Sequence, residues 1–159
     1  MSTFVTADLH FGDEATCSRY RRPDGSPLRP FTDAAEMNAE IIRRWNEAVG
    51  EGDTVYVLGD VGRGRAVELV RHLRGEKHLI AGNGDNVARI VEAGLFVSVR
   101  VWKQLPQLLL THIPVHPSQL RGGVRNIHGH LHANVIDDPR YTCVSLEQTD
   151  FRPMPIDQL

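Results

Sequence analysis

The sequence predicts an α/β fold. Short apolar, β-branched runs alternate with helix-like segments through the first half of the chain. Polar residues able to ligate metals fall just after those runs. The composition is ordinary for a globular protein, with 41% hydrophobic and 24% charged residues in 159. That length suits one domain, residues 1–159, with a core of its own.

Taken in order, Thr3–Ala7 reads as a strand and is followed by Asp8-Leu9-His10. The segment Cys17–Pro30, with its prolines, glycine and arginines, reads as an excursion. Thr32 or Asp33 then caps a helix, and Asp33-x-x-Glu36 resembles a capping box. Met37, Ile41, Trp45 and Ala48 recur at helical spacing, and Gly50 is the stop. Thr54–Leu58 is a strand ending at Gly59-Asp60. Arg65–Arg74 reads as a helix stopped by Gly75. Lys77–Ala81 is a third strand ending at Gly82-Asn83, and Asn86 caps a helix to about Glu92. The second half has four short strands, Phe96–Trp102, Gln107–Thr111, Val124–Ile127 and Tyr141–Ser145, with no convincing helices between them. Trp45 and Trp102 are both expected in the core.

Several function classes fall away. A net charge of −2 gives no overall drive toward nucleic acid or membrane. No apolar run reaches the roughly 18 residues of a membrane span, and the start lacks a signal-peptide pattern. Two cysteines, in no Cys-x-x-Cys pair, argue against a disulfide framework or thiolate zinc. A cytoplasmic location is the expectation.

Histidine is the unusual residue. Of eight, five lie between His112 and His132, and the stretch NIHGHLHA places His128, His130 and His132 at alternate positions. The candidate ligands share one location, the carboxyl ends of strands, where loops converge in α/β sheets. Asp8 and His10 follow the first strand, Asp60 the second and Asn83 the third. His112 follows LLLT, and His130 and His132 follow VRNI. Carboxylate, amide and imidazole together suit manganese, iron or zinc better than magnesium or calcium. Seven ligands exceed the need of one tetrahedral zinc, whereas two metals sharing a carboxylate use them all.

In order and placement these motifs resemble the calcineurin-like metallophosphoesterase family. Its D-x-H, G-D, G-N-H-[DE], strand-end His and G-H-x-H elements correspond to Asp8-Leu9-His10, Gly59-Asp60, Gly82-Asn83-Gly84-Asp85, Thr111-His112 and Gly129-His130-Leu131-His132. The resemblance runs from about Asp8 to His132 and extends to small bacterial and phage-type members. Those members share the style of RPFTDAAEMNAEIIRRWNEAVGEGDTVYVLGDVG and of the ending DFRPMPIDQL.

The resemblance implies a four-layered αββα sandwich with two metals at one edge, manganese favoured. It implies that Asp8, His10, Asp60 and His132 hold the first metal. Asp60 would bridge to a second completed by Asn83, His112 and His130. It implies hydrolysis of a phosphoester, a nucleotide or nucleic-acid end among the options, by a hydroxide shared between the metals. Asp60, Asn83, His128 and Asp85 are the residues expected to serve catalysis.

Gly84 departs from the pattern, because it stands where the family has a histidine that contacts phosphate and protonates the leaving group. General-acid help is commonly worth about 100-fold to 10,000-fold, so a poor leaving group suffers most. Family members without that histidine favour diesters. The expected activity is therefore phosphodiester hydrolysis, with monoester or nucleotide hydrolysis and a non-catalytic scaffold on the same fold as alternatives. His116 and His128 are candidate replacements for the acid. Arg19, Arg21, Arg22, Arg63 and Arg65 are candidate phosphate contacts or solvated charges.

Overall fold

The computed structural model describes residues 1–159. It has nine strands: β1 (Thr3–Thr6), β2 (Thr54–Val57), β3 (Glu76–Ile80), β4 (Ser98–Arg100), β5 (Trp102–Leu105), β6 (Leu108–Thr111), β7 (Arg125–His128), β8 (Tyr141–Cys143) and β9 (Met154–Pro155). The α-helices are few: α1 (Ala15–Ser18), α2 (Ala34–Ala48) and α3 (Val87–Glu92). No helix is long and apolar enough to cross a membrane.

Two sheets, both rich in parallel pairs, form the frame. The first has strand order β4-β3-β2-β1-β9, parallel except for β9. The second has order β5-β6-β7-β8, parallel except for β5. Parallel neighbours end at the same edge, so the loops after β1, β2 and β3 converge, as do those after β6 and β7. The sheets are joined there by a bridge between Ala7 and Ser145, with Ala7 N donating to Val144 O at 3.0 Å.

Strand alternation divides the core. Phe4, Val55, Val57 and Leu79 face one way and pack with Met37, Ile41 and Trp45 of α2 and Ile90 of α3. Val5, Ala7, Leu58 and Ile80 face the other way and meet Leu110, Ile127 and Val144 of the second sheet. The buried apolar residues of all three α-helices belong to the first cluster. The loop at Val115 lies over the second sheet, where Val115 N donates to the Asn126 side chain and Tyr141 Oη donates to Val115 O.

Local chemistry explains the helix ends. Asp33 accepts from Glu36 N at 2.8 Å, and Glu36 reaches back to Thr32 N at 2.6 Å. Asn86 caps α3 by accepting from Arg89 N. The helix expected over Arg65–Arg74 winds as a 3₁₀ helix over Gly64–His72. Val67 and Val70 are its buried residues, Leu73 just after it is buried too, and at three residues per turn this spacing stacks all three on one face.

The expected strand Phe96–Trp102 also divides. Ser98–Arg100 pairs with β3 at the edge of the first sheet, while Trp102 opens β5 at the edge of the second. Trp45 is fully buried, but Trp102 is 58% exposed, which corrects the expectation that both lie in the core.

Candidate metal centre

All seven candidate ligands sit in loops at the shared edge. Five of them have left-handed backbone conformations: Asp8 (φ 59°), His10 (49°), Asp60 (52°), His130 (68°) and His132 (53°). Non-glycine residues in this region carry a cost of order 1–3 kcal/mol each and persist where the surroundings over-determine them. Backbone bonds supply that determination: Asp8 N donates to Gly59 O (3.0 Å) and His10 N to Asp60 O (2.9 Å).

The glycines beside the ligands are required by close approach. A Cβ on Gly82 would lie 2.4 Å from Asp60 Oδ1, and one on Gly129 would lie 2.7 Å from Asp8 Oδ2. A Cβ on Gly59 would lie 2.6 Å from His112 Nδ1. At Gly84 the same construction gives 3.0 Å to Asp60 Oδ1, a tight contact relieved by a small shift.

The side chains form two adjoining groups. In the first, Asp8 Oδ1 and His10 Nε2 lie 3.8 Å apart, with His132 close by at 5.1 Å between imidazole centroids. In the second, His112 Nε2 lies 2.9 Å from Asn83 Oδ1 and 3.3 Å from His130 Nδ1. Asp60 stands between them, with Oδ2 3.6 Å from His10 Nε2 and Oδ1 3.5 Å from His112 Nε2.

The protons can be placed from the partners. His112 Nδ1 donates to Leu58 O at 2.7 Å, because a carbonyl only accepts. In the neutral imidazole Nε2 then carries the lone pair, and it faces the Asn83 and Asp60 oxygens. His10 likewise directs Nδ1 to Asp13 (3.2 Å) and leaves Nε2 facing two carboxylates. Asp8 Oδ2 accepts from His130 N (2.8 Å) and Ser145 Oγ (2.6 Å). Asp8 Oδ1 and His10 Nε2 are buried and have no hydrogen-bond partner. Buried lone pairs converging without donors are repulsive, and divalent cations resolve the repulsion. The donor set thus fits metal.

Behind the ligands lies a layer that sequence reasoning missed. Asp13 holds His10 and pairs with Arg63 at 2.9 Å. The His10 contact, with help from Arg63, lowers its carboxyl pKa to about 2. Glu147 Oε1 lies 3.1 Å from His132 Nδ1 and 2.8 Å from Arg29 Nε. Burial pushes the Glu147 carboxyl up, but Arg29 and His132 hold it at about 2. Burial alone would depress the His132 pKa, and Glu147 reverses this and raises it, which strengthens the imidazole as a ligand. Arg29 is fully buried and also donates to the carbonyls of Leu9 (2.9 Å) and Asp8. It is a strut for the first ligand loop. Asp13 carried a sequence signal, three residues after His10. Glu147 and Ser145 carried none.

Two residues expected to serve catalysis lie elsewhere. Asp85 accepts from the N–H groups of Val61 (2.8 Å), Gly82 (2.8 Å) and Asp60 (3.0 Å), so it ties the Asp60 loop to the Asn83 loop. Burial raises its pKa against those donors. His128 is fully buried and donates to Gly129 O at 2.8 Å, and burial lowers its pKa. Neither lines the cleft over the candidate metal centre. His116 is exposed, bonded to Ser118, and also absent from that cleft.

The cleft measures about 520 Å³ and exposes His10, Asp60, Asn83, His130 and His132. Tyr20, Arg21 and Arg63 also line it, whereas Arg19, Arg22 and Arg65 lie outside it.

No family model matches the chain. It is 30% identical over 169 residues to the uncharacterized protein MJ1445 of Methanocaldococcus jannaschii, covering 97% of this chain and 86% of that protein. It is 31% identical over 90 residues to the Gene 66 protein of Mycobacterium phage L5, covering 53% of this chain and 40% of the phage protein. The crystal structure of the protein of unknown function AQ665 from Aquifex aeolicus has a TM-score of 0.69 at 21% identity. That match covers 99% of this chain and 96% of the other, and it is a likeness of fold.

Proposed function

The chain belongs to the family of the Methanocaldococcus jannaschii protein MJ1445, and from the ligands at its strand ends we propose a dinuclear metal-dependent phosphodiesterase. The observation that carries this is Asp60, a carboxylate facing His10 through one oxygen and His112 through the other. Asp8, His10 and His132 would hold one cation, and Asn83, His112 and His130 the second, with Asp60 shared. Divalent cations, manganese favoured over iron or zinc, would supply a Lewis acid for phosphoryl oxygens and lower the pKa of a nucleophilic water.

The chain's own residues do the rest. The Asp13 and Glu147 carboxylates fix two imidazoles with Nε2 toward the centre. Arg21 and Arg63, which line the same cleft, offer cationic contacts to the phosphoryl group. Gly84 supplies no proton donor and no bulk, so the site favours a diester, whose second arm needs room, over a doubly charged monoester. Hydrolysis adds a hydroxyl to phosphorus and a proton to the departing ester oxygen.

Two face-to-face sheets with ligands along one edge support a metallophosphoesterase-type sandwich. Its helical layer lies on the first sheet, and loop segments cover the second. A non-catalytic scaffold is the competing reading, supported by the absence of a side chain at Gly84.

The test is turnover of an activated aryl phosphodiester and the matching monoester by metal-stripped protein reloaded with Mn²⁺. The expected result is diester hydrolysis that Asp60→Asn abolishes, with little monoester hydrolysis. Two bound metals without turnover of either ester supports the scaffold.

A further inference from the structure

A second cleft adjoins the metal centre, and its chemistry is different. It measures about 670 Å³, within the range of small-molecule sites. Asn83 and His112 line it, and Asn83 also lines the first cleft. The two clefts meet at Gly82–Gly84, where Asn83 carries the one side chain between them.

The walls of the second cleft are apolar and open to solvent. Val101 is 77% exposed, Trp102 58% and Ile113 50%. Val101 and Trp102 lie where the chain leaves the edge of the first sheet for the edge of the second, and Ile113 follows the neighbouring strand β6. Large apolar groups sharing one exposed cleft mark a binding surface. The two tryptophans differ sharply. Trp45 is buried and its indole N–H donates to Arg74 O at 3.0 Å, whereas the Trp102 indole has no partner in the chain. Gln104, also on the wall, donates its amide N–H groups to Leu105 O and Leu108 O, which leaves its oxygen to accept.

We propose that this cleft seats one ester arm of the substrate, and that the arm is a flat aromatic or heteroaromatic ring of nucleoside size. The inference rests on the phosphodiesterase reading. A diester has two arms on one phosphorus, and this site has two clefts on one metal centre. The cleft with Arg21 and Arg63 suits the polar arm. The cleft with Trp102 offers a π face on which a ring stacks. The amide oxygen of Gln104 matches a ring N–H, whereas an alkyl or lipid arm would leave it unpaired.

The experiment is calorimetric titration of Mn²⁺-loaded protein with methyl thymidine 5′-phosphate and with dimethyl phosphate, which share a phosphodiester and differ in one arm. The thymidine diester is expected to bind at least about tenfold tighter to the unaltered protein. Trp102→Ala is expected to erase that advantage while the bound metal count stays unchanged. Trp102 lies on an exposed edge strand and takes no part in the metal centre, so the fold should tolerate the change. Equal binding of the two diesters, or an advantage that survives Trp102→Ala, overturns the proposal. The two readings fail separately. An arm preference without aryl diester turnover defeats the enzyme and keeps the cleft. Turnover without a preference keeps the enzyme and defeats the cleft.

Discussion

The helix-facing side of the first sheet and the edge where its strands end are built on opposite terms. On the helix side, Phe4, Val55, Val57 and Leu79 meet Met37, Ile41 and Trp45, all buried and apolar. At the edge, only a few residues along the same strands, carboxylates and imidazoles crowd together, five backbones are left-handed, and Asp8 Oδ1, His10 Nε2, His128 Nε2 and Glu147 Oε2 are buried without partners. The first region is satisfied as it stands and supplies stability. The second holds buried lone pairs that face one another without donors, a repulsion that the proposed cations would relieve. Under the proposed function, folding energy and chemistry lie in separate parts of a small chain.

The sharpest way to break this division is to damage one side and observe the other. Trp45→Ala should have the largest effect on stability, about 3–5 kcal/mol, since a fully buried indole leaves a cavity. Urea titration reads that loss, and the folded fraction should still bind two metals. A metal count that fell with stability would show that the regions are not separable.

The converse change is Asp60→Asn. Loss of an outer partner of a metal ligand costs about 10–100-fold, so loss of the shared carboxylate should cost more than about 100-fold in diester turnover. The metal-free protein should melt no lower than the unaltered one, because the change relieves crowding of negative charge and removes no apolar contact. A clear drop in the melting temperature of the metal-free variant would contradict the division.

Asp13→Asn should be milder. It weakens the hold on His10 Nδ1 and should reduce Mn²⁺ affinity by about tenfold, read by competition with a chelator. An unchanged affinity would reduce Asp13 to a partner of Arg63 alone.

The smallest effect belongs to the exposed face of α2. Arg43, with Arg44, holds the Glu40 carboxyl at about 2, below its ordinary value near 4.5. A depressed folded pKa contributes stability that is fully present above about pH 4.5 and fades as pH falls toward 2. Glu40→Gln should therefore flatten part of the acid limb of the stability profile and leave neutral turnover unchanged. Added salt should shrink the difference.

The gathering of the candidate ligands was legible because α/β topology restricts where strand-end residues fall. Asp8, His10, Asp60, Asn83, His112, His130 and His132 each follow a strand that local pattern reveals. The caps at Asp33 and Asn86 were legible for the same reason, since their partners lie three residues away. What was hidden depends on distant pairing. Glu147 reaches Arg29 across 118 residues, and nothing near either marks the contact. The division between β4 and β5 depends on which sheet supplies a neighbour, which an apolar run does not encode. Trp102 follows from that division, since an edge strand exposes a ring that pattern alone assigns to a core.

The most direct test of the central claim is the manganese content of metal-stripped, reloaded protein, measured per chain for the unaltered sequence and for Asp60→Asn. A dinuclear centre built around a shared carboxylate predicts two metals per chain in the first and at most one tightly held in the second. A single metal in both, or none, would contradict it.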